Sequence, residues 1–115
     1  MKSVFMNDKQ RYECILGHYN DLRLEAEEYR GETLTKDKAS ILKKAIQMDL
    51  FQIGEHINRL SDDIKKKINT DDLRGVIGTR NVIAHGYQQI DMDIIWDSID
   101  YECPKLLKQL EELFK

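Results

Sequence analysis

Two consecutive segments of this sequence carry apolar residues at alternating steps of three and four, a spacing that confines them to one face of an α-helix. Tyr12, Ile15, Tyr19, Leu22, Ala26 and Tyr29 form the first stripe, within a helix predicted over residues 7–29. Leu42, Ile46, Leu50, Ile53, Ile57 and Leu60 form the second. Gly31 follows the first segment and Thr35 offers an N-cap to the second, so the two are expected to pack as an antiparallel hairpin. Beyond it, Ser61, Asp62 and Asp63 open a short helical turn with Ile64 and Ile68 inward, Lys65, Lys66 and Lys67 outward, and Asn69 and Thr70 at its end. Asp71 or Asp72 is the predicted cap of a third main helix, with Leu73, Val76, Ile77 and Ala84 on one face and Gly86 as its stop. A last helix is predicted to start near Asp91 and to turn Ile95, Ile99, Leu106, Leu110 and Leu113 inward. Asp93, Asp97, Asp100 and Glu102 make its outer face acidic, and Pro104 is expected to kink it, because the ring removes a backbone donor. With no strand alternation, phosphate loop or internal repeat, the expected fold is an all-α bundle of four to five helices, spanning residues 1–115 as a single domain.

A chain of 115 residues can bury a core without disulfides or a structural metal. Its two cysteines, Cys14 and Cys103, stand far apart with no CxxC pairing and no histidine at ligand spacing, which points to reduced thiols in a cytoplasmic protein. The N-terminal stretch holds a short apolar patch that Asn7, Asp8 and Lys9 cut off before signal-peptide length, and no apolar run approaches a membrane span. A net charge of −3 argues against a generic basic coat for nucleic acid, but leaves room for a local basic cleft.

The stretch RNVIAHGY gathers Arg80, Asn81, His85 and Tyr87 at the predicted end of the third helix. Arg80 shares the face of Leu73, Val76, Ile77 and Ala84, so a charge stands in an apolar stripe. A guanidinium is rarely buried alone. It must pair with a carboxylate, for which Glu55 and Asp49 are the candidates, reach a carbonyl, or open into a cleft that receives an anion. Asn81 and His85 are four apart and neighbours on one flank, able to bond each other or a shared ligand. His85 lies in the last turn, where helix carbonyls attract an imidazolium; it is either a partner of the helix dipole or a group that moves a proton. On an ideal helix Arg80 and His85 point about 140° apart, so they converge on one ligand only if the helix end unwinds or a second subunit completes the site. Tyr87 either packs its ring over the helix end or faces the same cleft.

Read together, Arg80, Asn81, His85 and Tyr87 resemble the RxxxxHxY signature of the HEPN superfamily, particularly its HepT toxins. The segment FQIGEHINRL, residues 51–60, is similar to the family's second helix, and QQIDMDIIWDSI to its following turn and last helix. One departure stands out: many HepT proteins carry Pro-Trp shortly before the arginine helix, where this chain has Thr70, Asp71, Asp72 and Leu73.

The resemblance implies a metal-independent endoribonuclease without a cofactor, whose homodimer brings two motifs to one cleft. Arg80 and His85 would be catalytic, with Asn81 supporting. RNA supplies its own nucleophile, the 2′-OH, so cleavage needs proton transfer and neutralisation of the transition state, with a 2′,3′-cyclic phosphate and a 5′-OH as products. Lys65, Lys66 and Lys67 could assist RNA binding. The resemblance also implies a toxin-antitoxin partner, a nucleotidyltransferase of the MNT type that moves AMP from ATP to Tyr87. Members without activity would instead be helical interaction or nucleotide-binding modules.

Overall fold

The computed structural model describes residues 6–31 and 33–115, and among them every regular element is helical. The N-terminal apolar patch lies largely outside the described residues. Helix α1 (Asp8–Tyr29) starts at a reciprocal cap in which Asn7 Oδ1 accepts from the Gln10 backbone N–H and Gln10 Oε1 accepts from that of Asn7. This closes two donors that a helix start leaves open. Thr35 caps α2 (Lys36–Asn58), as its position predicts. Contacts between Arg11 and His56, His18 and Asp49, and Glu28 and Lys38 run in opposite directions along the two helices, so α1 and α2 form the expected antiparallel hairpin.

Both stripes face inward. Ile15, Leu22 and Ala26 of α1 meet Ile46, Leu50, Ile53 and Ile57 of α2 in the core, while Tyr12, Tyr19 and Tyr29 pack on its margin. Each fully buried isoleucine or leucine stabilises the fold by about 1.5–3 kcal/mol. Next come the short α3 (Asp62–Lys65), capped by Ser61, and α4 (Thr70–Gly86). The cap of α4 is Asn69, whose Oδ1 accepts from the Asp72 backbone N–H at 3.0 Å, rather than Asp71 or Asp72. The helix starts two to three residues earlier than predicted, which leaves Asp71 and Asp72 in the first turn, where negative charge suits the helix dipole.

The buried face of α4 is also turned from the predicted one. Val76, Thr79 and Ile83 are buried, Leu73 and Ile77 sit at the core margin, and Ala84 is exposed. The cause is packing on two sides, against α2 and against the segment that follows Asp91. There Glu102, expected on an acidic outer face, turns inward and accepts from the Thr79 hydroxyl at 2.9 Å. The Gly75 carbonyl lies 3.1 Å from the same hydroxyl and shares its one proton, so a polar side chain is satisfied inside an apolar face.

Asp91 caps α5 (Met92–Asp97), which continues through a π-helical turn (Ser98–Glu102) into α6 (Cys103–Leu113). The irregularity expected at Pro104 takes the form of this turn. In it the Cys103 backbone N–H donates to the Ser98 carbonyl, five residues back, and Pro104 stands at the start of α6, where a missing donor costs least. Ile95, Ile99, Leu106 and Leu110 are buried as predicted, with Leu113 at the core margin. Cys103 is buried and its thiol pushed up to about 12 by that burial, which keeps it unreactive.

Candidate active site

Arg80 is held by α2. Its Nε donates to Glu55 Oε1 at 2.6 Å, its second terminal nitrogen lies 2.5 Å from the same oxygen, and its first donates to Asn81 Oδ1 at 2.9 Å. The guanidinium carbon stands 4.8 Å from the centre of the Phe51 ring, in reach of a cation–π attraction. Of the two carboxylates named as partners for Arg80, Glu55 is the one used. Asp49 instead accepts from the imidazole of His18, 2.8 Å away. Glu55 also faces Arg59, 3.4 Å from its other oxygen, so it lies between two arginines.

A guanidinium has five N–H donors. Glu55 and Asn81 engage three of those of Arg80, which leaves two for a ligand, and the side chain is 26% exposed. The arginine is therefore anchored and still open on one edge, which suits it to bind a phosphate oxygen pair.

Asn81 does not bond His85, the alternative its spacing allows; its carboxamide oxygen faces Arg80. His85 is exposed in the last turn of α4 and lines a shallow depression with Gly86, Tyr87 and Gln89. Among the described residues no hydrogen bond joins it to Arg80, which agrees with their angular separation on the helix. Gly86 does not stop the helix with a left-handed residue. It is the last helical residue, and the chain leaves because Ile90 turns back into the core and Asp91 caps α5.

Tyr87 follows as the C-cap, 47% exposed, with its hydroxyl accepting from the Gln88 side chain at 3.3 Å. One side of its ring borders a groove of about 440 Å³ between α2 and α4, walled by Lys44, Met48, Phe51 and Ile83. The tyrosine therefore touches both the His85 depression and the apolar groove. Among the described residues no group of three His, Cys, Asp or Glu stands close enough to hold a metal ion, and no helix is long and apolar enough to cross a membrane.

Two contributors escape a reading by periodicity, Phe51 and Gly54. Gly54 is buried on α2 directly beneath Arg80. A glycine inside a long helix costs about 0.5–1 kcal/mol relative to alanine, and that cost was the available signal of a close approach.

Comparison with known proteins points to one family. Residues 15–113 match the family described as "Ribonuclease HepT-like". Two proteins of Methanocaldococcus jannaschii, named "Putative RNase MJ0125" and "Putative RNase MJ1216", are each 27% identical over 101 residues, which cover 88% of this chain and 85% and 82% of theirs. "Putative RNase TTE0752" of Caldanaerobacter subterraneus subsp. tengcongensis is 30% identical over 78 residues, 68% of this chain and 70% of its own. No solved structure matches. With a family match running from the middle of α1 to the end of α6 and enclosing Arg80, Asn81, His85 and Tyr87, this chain belongs to the HepT-like ribonuclease family.

Proposed function

We propose that this protein, a single HepT-like domain acting in the cytoplasm, is an endoribonuclease of the HEPN type that cleaves RNA without a metal. The observation that carries the reading is Arg80, anchored on Glu55 and Asn81 with two N–H groups free at the end of α4 that bears His85. Those donors bind non-bridging oxygens of the scissile phosphate and neutralise the charge that grows on them. The ribose 2′-oxygen attacks phosphorus, the bond to the 5′-oxygen breaks, and His85 moves the proton between them. Atoms balance without water, and the products are a 2′,3′-cyclic phosphate and a free 5′-hydroxyl. Asn81 supports the reaction by holding Arg80.

The active unit is a homodimer. Met48, Val82 and Tyr87 are exposed apolar side chains beside the motif, 59%, 41% and 47% accessible, and the groove between α2 and α4 adjoins them. A second copy covering this patch brings two motifs together, so that Arg80 of one chain and His85 of the other need not share a helix face. Resemblance to HepT toxins supports a toxin role under control of an MNT-type nucleotidyltransferase, which transfers AMP from ATP to the Tyr87 hydroxyl, accessible at the helix end, and releases pyrophosphate. The phosphate so added occupies the free donors of Arg80 and blocks RNA.

The test is RNA cleavage by the purified protein with a chelator present, alongside His85→Ala and Tyr87→Phe. Cleavage that survives chelation, fails in His85→Ala and yields cyclic phosphate ends is expected; cleavage abolished by chelation refutes the mechanism. Incubation with the nucleotidyltransferase and ATP should add one AMP to the wild type and none to Tyr87→Phe. A protein that cuts no RNA yet binds a partner tightly would be a helical interaction module instead.

A further inference from the structure

Gly54 is buried at the point where α4 crosses α2, and a Cβ built on it would lie 2.4 Å from Arg80 Cβ and 2.8 Å from Arg80 Cγ. Real side chains do not come so close. The arginine therefore leaves α4 flat against the backbone of α2, and this close crossing decides which α2 residues its guanidinium can reach. They are the nearest neighbours of the glycine: Glu55, the next residue, takes Nε and the second terminal nitrogen through one oxygen, and Phe51, one turn back, lies under the guanidinium carbon.

We infer that this single turn of α2, with Gly54 as the slot and Glu55 as the fixed acceptor, is a positioning device for Arg80: it sets the direction in which the two free N–H groups of Arg80 point. Neither residue touches the substrate; both act through the arginine. The inference rests on the nuclease reading above.

A purely structural ion pair would serve as well from any neighbouring carboxylate, and Asp49 lies on the same helix. Two features go further. Glu55 grips the side edge of the guanidinium, Nε with one terminal nitrogen, and Asn81 takes one N–H of the other, which leaves one N–H on each terminal nitrogen for a ligand. Its other oxygen faces Arg59, and Phe51 fixes the plane of the group from one side, so rotation about the last side-chain bonds is checked from two directions. An arginine free to swing would lose orientation at the phosphate even with its charge intact, and small misplacement of a catalytic group costs on the order of a hundredfold in rate.

The experiment separates kcat from KM for an RNA that the wild type cuts. Glu55→Gln keeps the size of the side chain and one acceptor oxygen while removing the charge that holds the guanidinium. It should lower kcat roughly 10- to 100-fold and change KM by less than about threefold. Gly54→Ala should do the same where it folds; Glu55→Gln carries the test where it does not. Millimolar guanidinium added to Arg80→Ala should restore part of the rate, and should restore none of it to the double variant Arg80→Ala, Glu55→Gln, because the negative charge that seats the added cation is gone. An active wild type whose Glu55→Gln variant keeps its full kcat, or equal guanidinium rescue with and without Glu55, overturns the positioning role alone. A wild type that cuts no RNA overturns the nuclease reading and the positioning role together, so the two failures are told apart.

Discussion

Helix α2 carries polar groups on two sides, and they solve the same problem differently. Toward α1 it offers Asp49 and His56, which meet His18 at 2.8 Å and Arg11 at 3.3 Å, with the two imidazole rings 5.9 Å apart. Glu25 lies in the same interface with one carboxyl oxygen buried and unpartnered. Burial first, then the Asp49 carboxylate beside it and Asp21, push its pKa up to about 8, so near neutral pH it keeps its proton. His56 is pushed the other way, by burial and by Arg11 and His18, and sheds its proton more readily. Toward α4, α2 offers Glu55 to Arg80, and a guanidinium has no such escape, because it does not deprotonate in proteins. The first interface relieves buried charge by titration; the second must keep its charge and satisfy it. What survives at the second interface is a permanent cation with donors to spare, which is what phosphate chemistry requires. The comparison teaches that burial alone does not mark a reactive centre: the informative cluster is the one that cannot neutralise itself.

The largest effect should appear where that contrast is put to the test directly. Arg80→Ala and His85→Ala are each expected to lower the RNA cleavage rate by roughly two to four orders of magnitude with the helical circular dichroism unchanged. His18→Ala and Glu25→Gln, on the other side of α2, should leave the rate within about threefold of wild type. A loss of cleavage in the α1-side variants matching that of Arg80→Ala would break the distinction.

Between the two interfaces lies the buried stripe of α2, on which both depend. Ile46 has no accessible surface, and Ile46→Ala should cost about 2–5 kcal/mol in urea denaturation through the cavity it leaves. Activity per folded molecule should persist, since the residue touches neither cluster.

The α1-side groups should show themselves through pH. Glu25 binds its proton more tightly folded than unfolded, so its contribution to stability is fully present below pH 4.5, the ordinary glutamate value, and is lost as pH rises toward about 8. His56, lowered, acts oppositely: below its ordinary range the unfolded chain takes the proton first, and stability falls as pH drops. Denaturation midpoints measured from pH 4 to 9 should therefore decline across the upper part of the range in the wild type. In Glu25→Gln that decline should be lost; a variant with the same slope as wild type would remove Glu25 from the account.

The smallest expected effect concerns the start of α4. Asn69→Ala should cost about 0.5–2 kcal/mol and Asp71→Ala no more than about 0.5, because the first removes the capping oxygen and the second only a first-turn charge. Equal losses would return the cap to Asp71.

Much of the fold was legible because helical periodicity is a local property. The stripes of α1 and α2, the caps Thr35 and Asp91, and the inward run from Ile95 to Leu110 follow from spacing and side-chain chemistry within a turn or two. The candidate residues Arg80, Asn81, His85 and Tyr87 stand out for the same reason, as one short motif, and Glu55 could be named with Asp49 as a partner because a charge in an apolar stripe demands one. The rotation of α4 was not legible. Thr79 is buried and Ala84 exposed because α4 packs on two sides, against α2 and against the segment after Asp91, from which Glu102 receives the threonine hydroxyl. Nor could the direction of Asn81 be read, since two neighbours competed for its oxygen and the orientation of Arg80 decided between them.

The sequence by itself determined that this chain is helical, where its main helices run, and which four residues gather at the end of one of them; each of these depends on interactions between residues close in the chain. Only the tertiary structure decided that Arg80 crosses Gly54, rests on Phe51 and is gripped by Glu55 instead of Asp49. That choice depends on how closely two helices approach and at what angle, and it is set by the summed packing of many distant side chains, which no spacing within a single helix encodes.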